Sequence, residues 1–167
     1  MCVLKMLGMV MVVGASVLMG ISMRGRMAKR KRILLELHGA FAMLKTEIVF
    51  LKTPLPMAVR KIADTLSCAL FSDFADALST RDTPEAAMRK AIAAEGGNLN
   101  ASDRDVLCYA ASVLGESDSD TQTRHLEMVM ERIGKQHTQS EATLKSGGKL
   151  CLSAGALCGI LMVILLA

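Results

Sequence analysis

Histidine and acidic side chains are the groups in this sequence that could bind a metal ion or transfer a proton. The histidines are His38, His125 and His137. Glu127 follows His125 by two residues, whereas a zinc-peptidase helix carries the spacing His-Glu-x-x-His. Without that spacing, we interpret all three histidines as structural or surface residues.

The acidic run Asp118-Ser119-Asp120 is the nearest approach to a calcium loop. The glycine and the terminal glutamate that complete an EF-hand loop do not follow it. Acidic residues also stabilise helix N-termini, where backbone N–H groups are unpaired. We therefore predict that this run, and Asp103 with Asp105, lie at helix starts.

The five cysteines show neither a Cys-x-x-Cys pair nor a metal-binding spacing, which predicts small buried side chains in a reducing compartment. They are Cys2, Cys68, Cys108, Cys151 and Cys158.

Nucleotide and hydrolase motifs are not found in the sequence. It contains no Gly-x-x-x-x-Gly-Lys-Ser/Thr phosphate loop, no Gly-x-Ser-x-Gly and no Gly-x-Gly-x-x-Gly. We predict a protein with no catalytic residue, no cofactor and no metal, which is not an enzyme.

Two uncharged apolar stretches, Met6–Met23 and Leu150–Ala167, enclose everything else. Each would form a helix about 27 Å long, close to the ~30 Å hydrocarbon core of a bilayer. Both are apolar on all sides, unlike an amphipathic core helix. We predict two transmembrane helices, at 1–23 and 150–167, because a cleaved signal peptide would have a shorter apolar segment and an Ala-x-Ala site.

Small residues at four-residue spacing occur in both predicted spans. Ser16 and Gly20 form one such pair, and Gly155 and Gly159 form another. Small residues at this spacing allow close helix approach. They indicate helix pairing within the hairpin or between copies of the chain, although glycine in a membrane helix also occurs without pairing.

Basic residues predict the orientation. A cluster of six directly follows the first span, and its members are Arg24, Arg26, Lys29, Arg30, Lys31 and Arg32. The positive-inside rule then places residues 24–149 in the cytoplasm and both termini outside. We call residues 24–32 the basic collar and expect it to contact anionic lipid headgroups, each cation contributing about 1 kcal/mol. No aromatic residue is interleaved with the cations, so nucleic acid is not the predicted partner.

Between the predicted spans, apolar residues recur every three or four positions, which indicates helices. The first stripe consists of Ile33, Leu37, Phe41, Leu44, Ile48 and Leu51. A second helix follows Thr53, its predicted N-cap, and carries Met57, Ala58, Ile62 and Leu66. A third carries Ala69, Leu70, Phe74, Ala77 and Leu78.

Three further helices complete the predicted domain. One starts at Asp82-Thr83-Pro84-Glu85 and ends at Gly96-Gly97. The next begins with a capping box of Ser102 and Asp105. The last begins near 118–121. We predict an all-α fold, a cytoplasmic bundle of about six helices at 24–149 between the two transmembrane helices.

Several short motifs occur in an order and spacing typical of one family. They are Lys5-Met6-Leu7-Gly8, Leu44-Lys45-Thr46-Glu47-Ile48, Thr53-Pro54-Leu55, a Leu-Gly-x-x-Asp-x-x-x-Gln-x-x-x-Leu pattern from Leu114 through Gln122 to Leu126, and the segment Lys145 to Gly148. Over essentially its full length the chain resembles the stage III sporulation protein AB family of spore-forming Firmicutes.

The resemblance implies an assembly role at the cell membrane. Members resemble the cytoplasmic domains of platform proteins in type II secretion and type IV pilus machines. They are expected in a channel-like complex between mother cell and forespore, with the motor ATPase stage III sporulation protein AA as cytoplasmic partner. The residues carried over as partner contacts are Thr46, Glu47, Thr53, Pro54, Leu55 and Gln122.

Other interpretations of the same residues remain open. Glu47 could make an intradomain hydrogen bond instead of a partner contact, and Thr53 and Pro54 could simply cap and turn the chain. A holin-like pore former would suit two short spans, and a membrane-bound enzyme would need a nucleophile and base that the motifs do not indicate.

Overall fold

The computed structural model describes the backbone of residues 2–66, 68–114 and 119–166, and side-chain environments chiefly for 18–66, 68–114 and 121–144. The helices are α1 (Cys2–Lys45), a π-helical turn (Thr46–Phe50), α2 (Leu55–Thr65), α3 (Ala69–Ser79), α4 (Pro84–Ala94), α5 (Ala101–Val113) and α6 (Ser119–Leu166). These described residues contain no strand, which confirms the predicted all-α class.

The six α-helices agree with the predicted bundle of about six, but the two predicted junctions with the terminal spans do not occur within the described residues. The first predicted span and the first bundle helix are one 44-residue helix, α1, and α6 continues for 48 residues to Leu166. No proline interrupts either helix. Glycine within a helix costs only about 1 kcal/mol, so Gly25 and the pair Gly147-Gly148 do not end them.

The predicted transmembrane segments lie mostly outside the residues whose side chains are described. This holds for half of 6–23 and for all of 150–167. Within the described part of the chain, no helix has an apolar stretch long enough for a membrane crossing.

The chain divides into two compact units, Arg30–Thr138 and a unit made of Met1–Lys29 with Gln139–Ala167. The first unit contains the hydrophobic core. Phe71 lies at its centre, with its ring edge-to-face to Phe41 at 5.6 Å and to Phe74 at 6.1 Å between centroids. Such pairs add about 0.5–1.5 kcal/mol beyond the burial of their area.

The apolar stripe of α1 is confirmed as far as Leu44. Ile33, Leu37, Phe41 and Leu44 are buried and Ile48 is half-buried, but Leu51 is exposed. The α-helical period ends at Lys45, and the wider π-helical turn rotates the following side chains away from the stripe.

Two predicted caps are wrong. Thr53 does not cap α2, because the N-cap position is Pro54 and the Thr53 hydroxyl donates to Glu47. The capping box of α5 lies two residues earlier than predicted. Asn100 Oδ1 accepts from the Asp103 N–H at 2.8 Å, and Asp103 accepts from the Asn100 N–H at 3.0 Å.

Other predicted boundaries are confirmed. Asp103 lies in the first turn of α5, as predicted. Thr83 caps α4 by accepting from the Ala86 N–H. The φ angles of Gly96 and Gly97 are +61° and +82°, a left-handed conformation that ends α4 with little steric cost because glycine lacks Cβ.

Candidate partner-binding surface

Residues 46–57, which we call the corner, connect α1 to α2 through a π-helical turn and a short loop. The π-helical turn closes with a bond from the Leu51 N–H to the Thr46 carbonyl at 3.2 Å, and the Thr53 N–H donates to the Glu47 carbonyl at 2.9 Å. Lys52 has φ +52°, which turns the backbone out of the helix. Pro54 then disfavours helical geometry at Thr53 and fixes the approach to α2.

Glu47 joins the π-helical turn to α2 through hydrogen bonds of its side chain. Its side chain is only 8% exposed, and its two oxygens accept from the Thr53 hydroxyl at 2.9 Å and from Lys61 Nζ at 2.5 Å. The hydrogen bond from Lys61, supported by that from Thr53, holds the pKa of Glu47 below its ordinary value. The structure thus shows the intradomain alternative for Glu47.

The other corner residues of the family motif divide between internal and exposed positions. The exposed Thr46 donates its hydroxyl to the Ala42 carbonyl at 3.2 Å. Thr53 and Leu55 are half-buried, and Pro54 is exposed. Of the motif residues in this corner, Thr46 and Pro54 are therefore the exposed ones.

Three large apolar side chains at the corner are exposed, and none of them belongs to the family motifs. Phe50 is 72% exposed, Leu51 58% and Met57 65%. Leu51 and Met57 were predicted to lie in helix stripes, and no role was predicted for Phe50. The available signal was the adjacent pair Phe50-Leu51, because neighbouring helix positions point about 100° apart and cannot both continue one stripe.

An open groove of about 550 Å³ runs from Met57 along α2 and is lined by Pro56, Met57, Arg60, Lys61, Asp64 and Thr65. The cations beside it are engaged within the bundle. Lys61 binds Glu47, and Arg60 binds Asp76 of α3 at 2.6 Å and Asp64 at 3.6 Å. The groove is therefore apolar at Met57, and its rim consists of ion pairs.

Gln122, the remaining predicted contact, is buried. Its Nε2 donates to the Leu114 carbonyl at 3.4 Å, which connects the start of α6 with the end of α5. This position serves the fold and offers little surface to a partner.

The basic collar is not a uniform row of free cations. Arg30 makes a bidentate ion pair with buried Asp103, at 2.7 and 2.9 Å, and Arg32 binds Glu36 at 2.7 Å. Lys31 is half-buried. Within their own unit, Arg24, Arg26 and Lys29 are exposed. Lipid contact by all six cations was predicted, but Arg30 is committed to α5.

Of the predicted helix-packing residues, Gly20 is half-buried, whereas Ser16, Gly155 and Gly159 lie outside the residues whose side chains are described.

His125 Nδ1 lies 2.5 Å from the Tyr109 hydroxyl. No three potential metal ligands come together in the described part of the chain.

Comparison with known proteins gives consistent matches. The family model described as stage III sporulation protein AB matches residues 5–167. Stage III sporulation protein AB of Bacillus subtilis (strain 168) is 29% identical over 171 residues, which cover 98% of this chain and 99% of that protein. A solved structure titled stage III sporulation protein AB has a TM-score of 0.63 and 26% identity, and the match covers 70% of this chain and 97% of that one.

Proposed function

The chain belongs to the stage III sporulation protein AB family, and on that premise we propose that it is a non-enzymatic, membrane-anchored platform in the channel complex between mother cell and forespore. Its task in this proposal is to hold a cytoplasmic motor ATPase of the stage III sporulation protein AA type against the membrane.

The observation that carries the proposal is that the polar motif residues bind other groups of the same domain. Glu47 and Thr53 bind each other and Lys61, and Gln122 binds the α5 backbone. Side chains engaged in this way position helices and are not free to act on a substrate. What the corner offers is a fixed surface, which suits a docking platform better than an enzyme.

The proposed topology follows the positive-inside rule. Both termini lie outside the cell, the bundle lies in the cytoplasm, and Arg24, Arg26 and Lys29 contact anionic lipid. All three are exposed, unlike Arg30, and are not paired with Glu36 as Arg32 is, and each would contribute about 1 kcal/mol near an anionic surface. Self-association through the small residues of the spans is compatible with this arrangement.

Co-elution with the ATPase tests the proposal. The full-length chain is reconstituted in nanodiscs containing anionic lipid and mixed with purified, assembled stage III sporulation protein AA, and the mixture is separated by size exclusion. We expect the ATPase to elute with nanodiscs that hold the chain and not with empty nanodiscs of the same lipids. Separate elution of an assembled ATPase would contradict the docking role.

A further inference from the structure

Three exposed large apolar side chains of residues 30–138 lie within eight consecutive positions, 50–57. Among the described residues of this unit, large hydrophobic side chains are exposed at Leu35, Phe50, Leu51, Met57 and Met128. Three of these five belong to the corner, and Met128 is the least exposed of the set, at 38%. Clustered exposed apolar residues are typical of interaction sites, whereas isolated ones are ordinary.

The corner presents these side chains on a rigid backbone. The Glu47 carboxylate joins the π-helical turn to α2 through Lys61, and Pro54 at the N-cap and Pro56 in the first turn of α2 restrict the backbone on either side of Leu55. A preorganised surface loses little conformational entropy on binding, so it can give useful affinity from a small apolar contact. We call Phe50, Leu51 and Met57 the apolar knob.

The charges beside the knob indicate what kind of surface would recognise it. Lys61 is paired with Glu47, and Arg60 with Asp64 and Asp76, so these side chains neutralise one another within the bundle. A strongly charged partner surface would have to compete with these pairs. An apolar groove would not, and its affinity would depend little on salt.

The bilayer is a poor candidate for covering the knob. Phe50 follows Arg30 by 20 residues along α1 and the π-helical turn, a distance of about 30 Å at the helical rise. An interfacial helix inserts only about 5–10 Å into the headgroup and acyl boundary. In the proposed topology residues 24–149 lie in the cytoplasm, and the knob belongs to this part of the chain.

We propose that Phe50, Leu51 and Met57 insert into an apolar groove of the cytoplasmic partner and supply the central contact of that interface. The inference rests on the proposed function, in which the partner is the motor ATPase. Glu47 then positions the knob through the turn and makes no contact with the partner itself.

Titration of matched variants tests the inference. The full-length chain in nanodiscs is titrated with assembled stage III sporulation protein AA, comparing the wild type with Phe50→Ser, Met57→Ser and Leu35→Ser. Leu35 is 58% exposed, like Leu51, but lies outside the corner, so it controls for the loss of exposed apolar area. Circular dichroism of each variant checks that the helices are intact.

We expect Phe50→Ser and Met57→Ser each to raise Kd by about tenfold or more, as truncated hot spots do, while Leu35→Ser changes it less than about twofold. Raising NaCl from about 0.1 to 0.5 M should change the wild-type Kd less than about threefold, because no charge pair is formed at the interface.

If the wild type binds and the Kd values of Phe50→Ser and Met57→Ser are no higher than that of Leu35→Ser, the inference is overturned. The platform role would then remain intact. A strong salt dependence with unchanged knob variants would point to a charged interface and equally overturn the inference. If Phe50→Ser dissociates a dimer of the chain without weakening ATPase binding, the knob binds a second copy instead. Absence of wild-type binding would remove the proposed function itself.

Discussion

Asp103 has two structural roles in one side chain. Its carboxylate is fully buried, closes the capping box of α5 and accepts hydrogen bonds from Nε and Nη2 of Arg30, which lies 73 positions earlier in the sequence. One side chain thus stabilises a helix start and joins α5 to α1. A buried carboxylate with this many donors depends on each of them, because an unpaired buried charge is costly.

Arg30→Ala should therefore destabilise the bundle by about 2–4 kcal/mol, since it leaves Asp103 charged and without its main partner. The measurement is urea unfolding of the full-length chain in mild detergent, followed by circular dichroism at 222 nm. Arg32→Ala is the matched control, because the solvent-exposed Arg32–Glu36 pair should contribute little to stability. Equal losses of unfolding free energy in the two variants would show that the Arg30–Asp103 pair stabilises the bundle no more than the exposed Arg32–Glu36 pair does.

Glu47 should make stability depend on acid pH. Its pKa is lowered in the folded state by Lys61 and Thr53, from an ordinary value of about 4.5. A lowered pKa gives stability that is fully present above the unfolded value and is lost as pH falls through the folded value. The difference in unfolding free energy between the wild type and Glu47→Gln should therefore be largest near pH 7 and shrink as pH drops below about 4.5.

The same urea titrations, repeated between pH 7 and pH 3, measure this difference. Asp82 and Glu131 also have lowered pKa values, from Lys90 and Lys135, but both residues are present in both proteins and cancel in the difference. A difference that stays constant over this range would mean that the Glu47 carboxylate gains nothing from Lys61 and Thr53.

The roles of individual residues were harder to predict from the sequence than the helices or the fold class. In the sequence the six collar cations look alike, and only the long-range contact with Asp103 separates Arg30 from Arg24. Glu47 was singled out within its motif, but its partner Lys61 comes from a helix whose placement the motif does not specify. The exposure of Phe50 depends on a π-helical turn, for which the sequence has no periodic signal.

At the scale of elements, helix starts depend on which of several polar residues is selected as cap. Ser102 and Asp105 fit the capping-box pattern as well as Asn100 and Asp103 do. The second pair is used in the structure, and Asp103 there also meets Arg30, a contact that the first pair could not make. Tertiary contacts thus decide between local alternatives of similar propensity.

Asn100→Ala should destabilise the bundle by about 1 kcal/mol, the usual cost of losing an N-cap. Asp105→Ala, at the exposed position of the rejected capping box, should change stability by less than about 0.5 kcal/mol. Unfolding midpoints at neutral pH compare the two. The reverse order would mean that α5 begins at Ser102 in solution.

For the whole molecule, composition and periodicity were sufficient for the all-α class and for most of the core. The apolar stripe through Phe41 and Leu44 and the ends of α4 and α5 were located correctly because they depend on local signals. The merging of predicted spans with bundle helices was missed, since flanking charge and glycine were interpreted as boundaries. The family membership extends over residues 5–167, which no single motif could have established.

In the proposed function, this chain holds a motor ATPase at the membrane facing the forespore. The most direct test is the position of fluorescently tagged stage III sporulation protein AA in sporulating cells that carry or lack the gene for this chain. We predict a tagged ATPase concentrated at the mother-cell membrane around the forespore when the chain is present, and dispersed through the cytoplasm when it is absent. The same membrane localisation in both strains would contradict the claim.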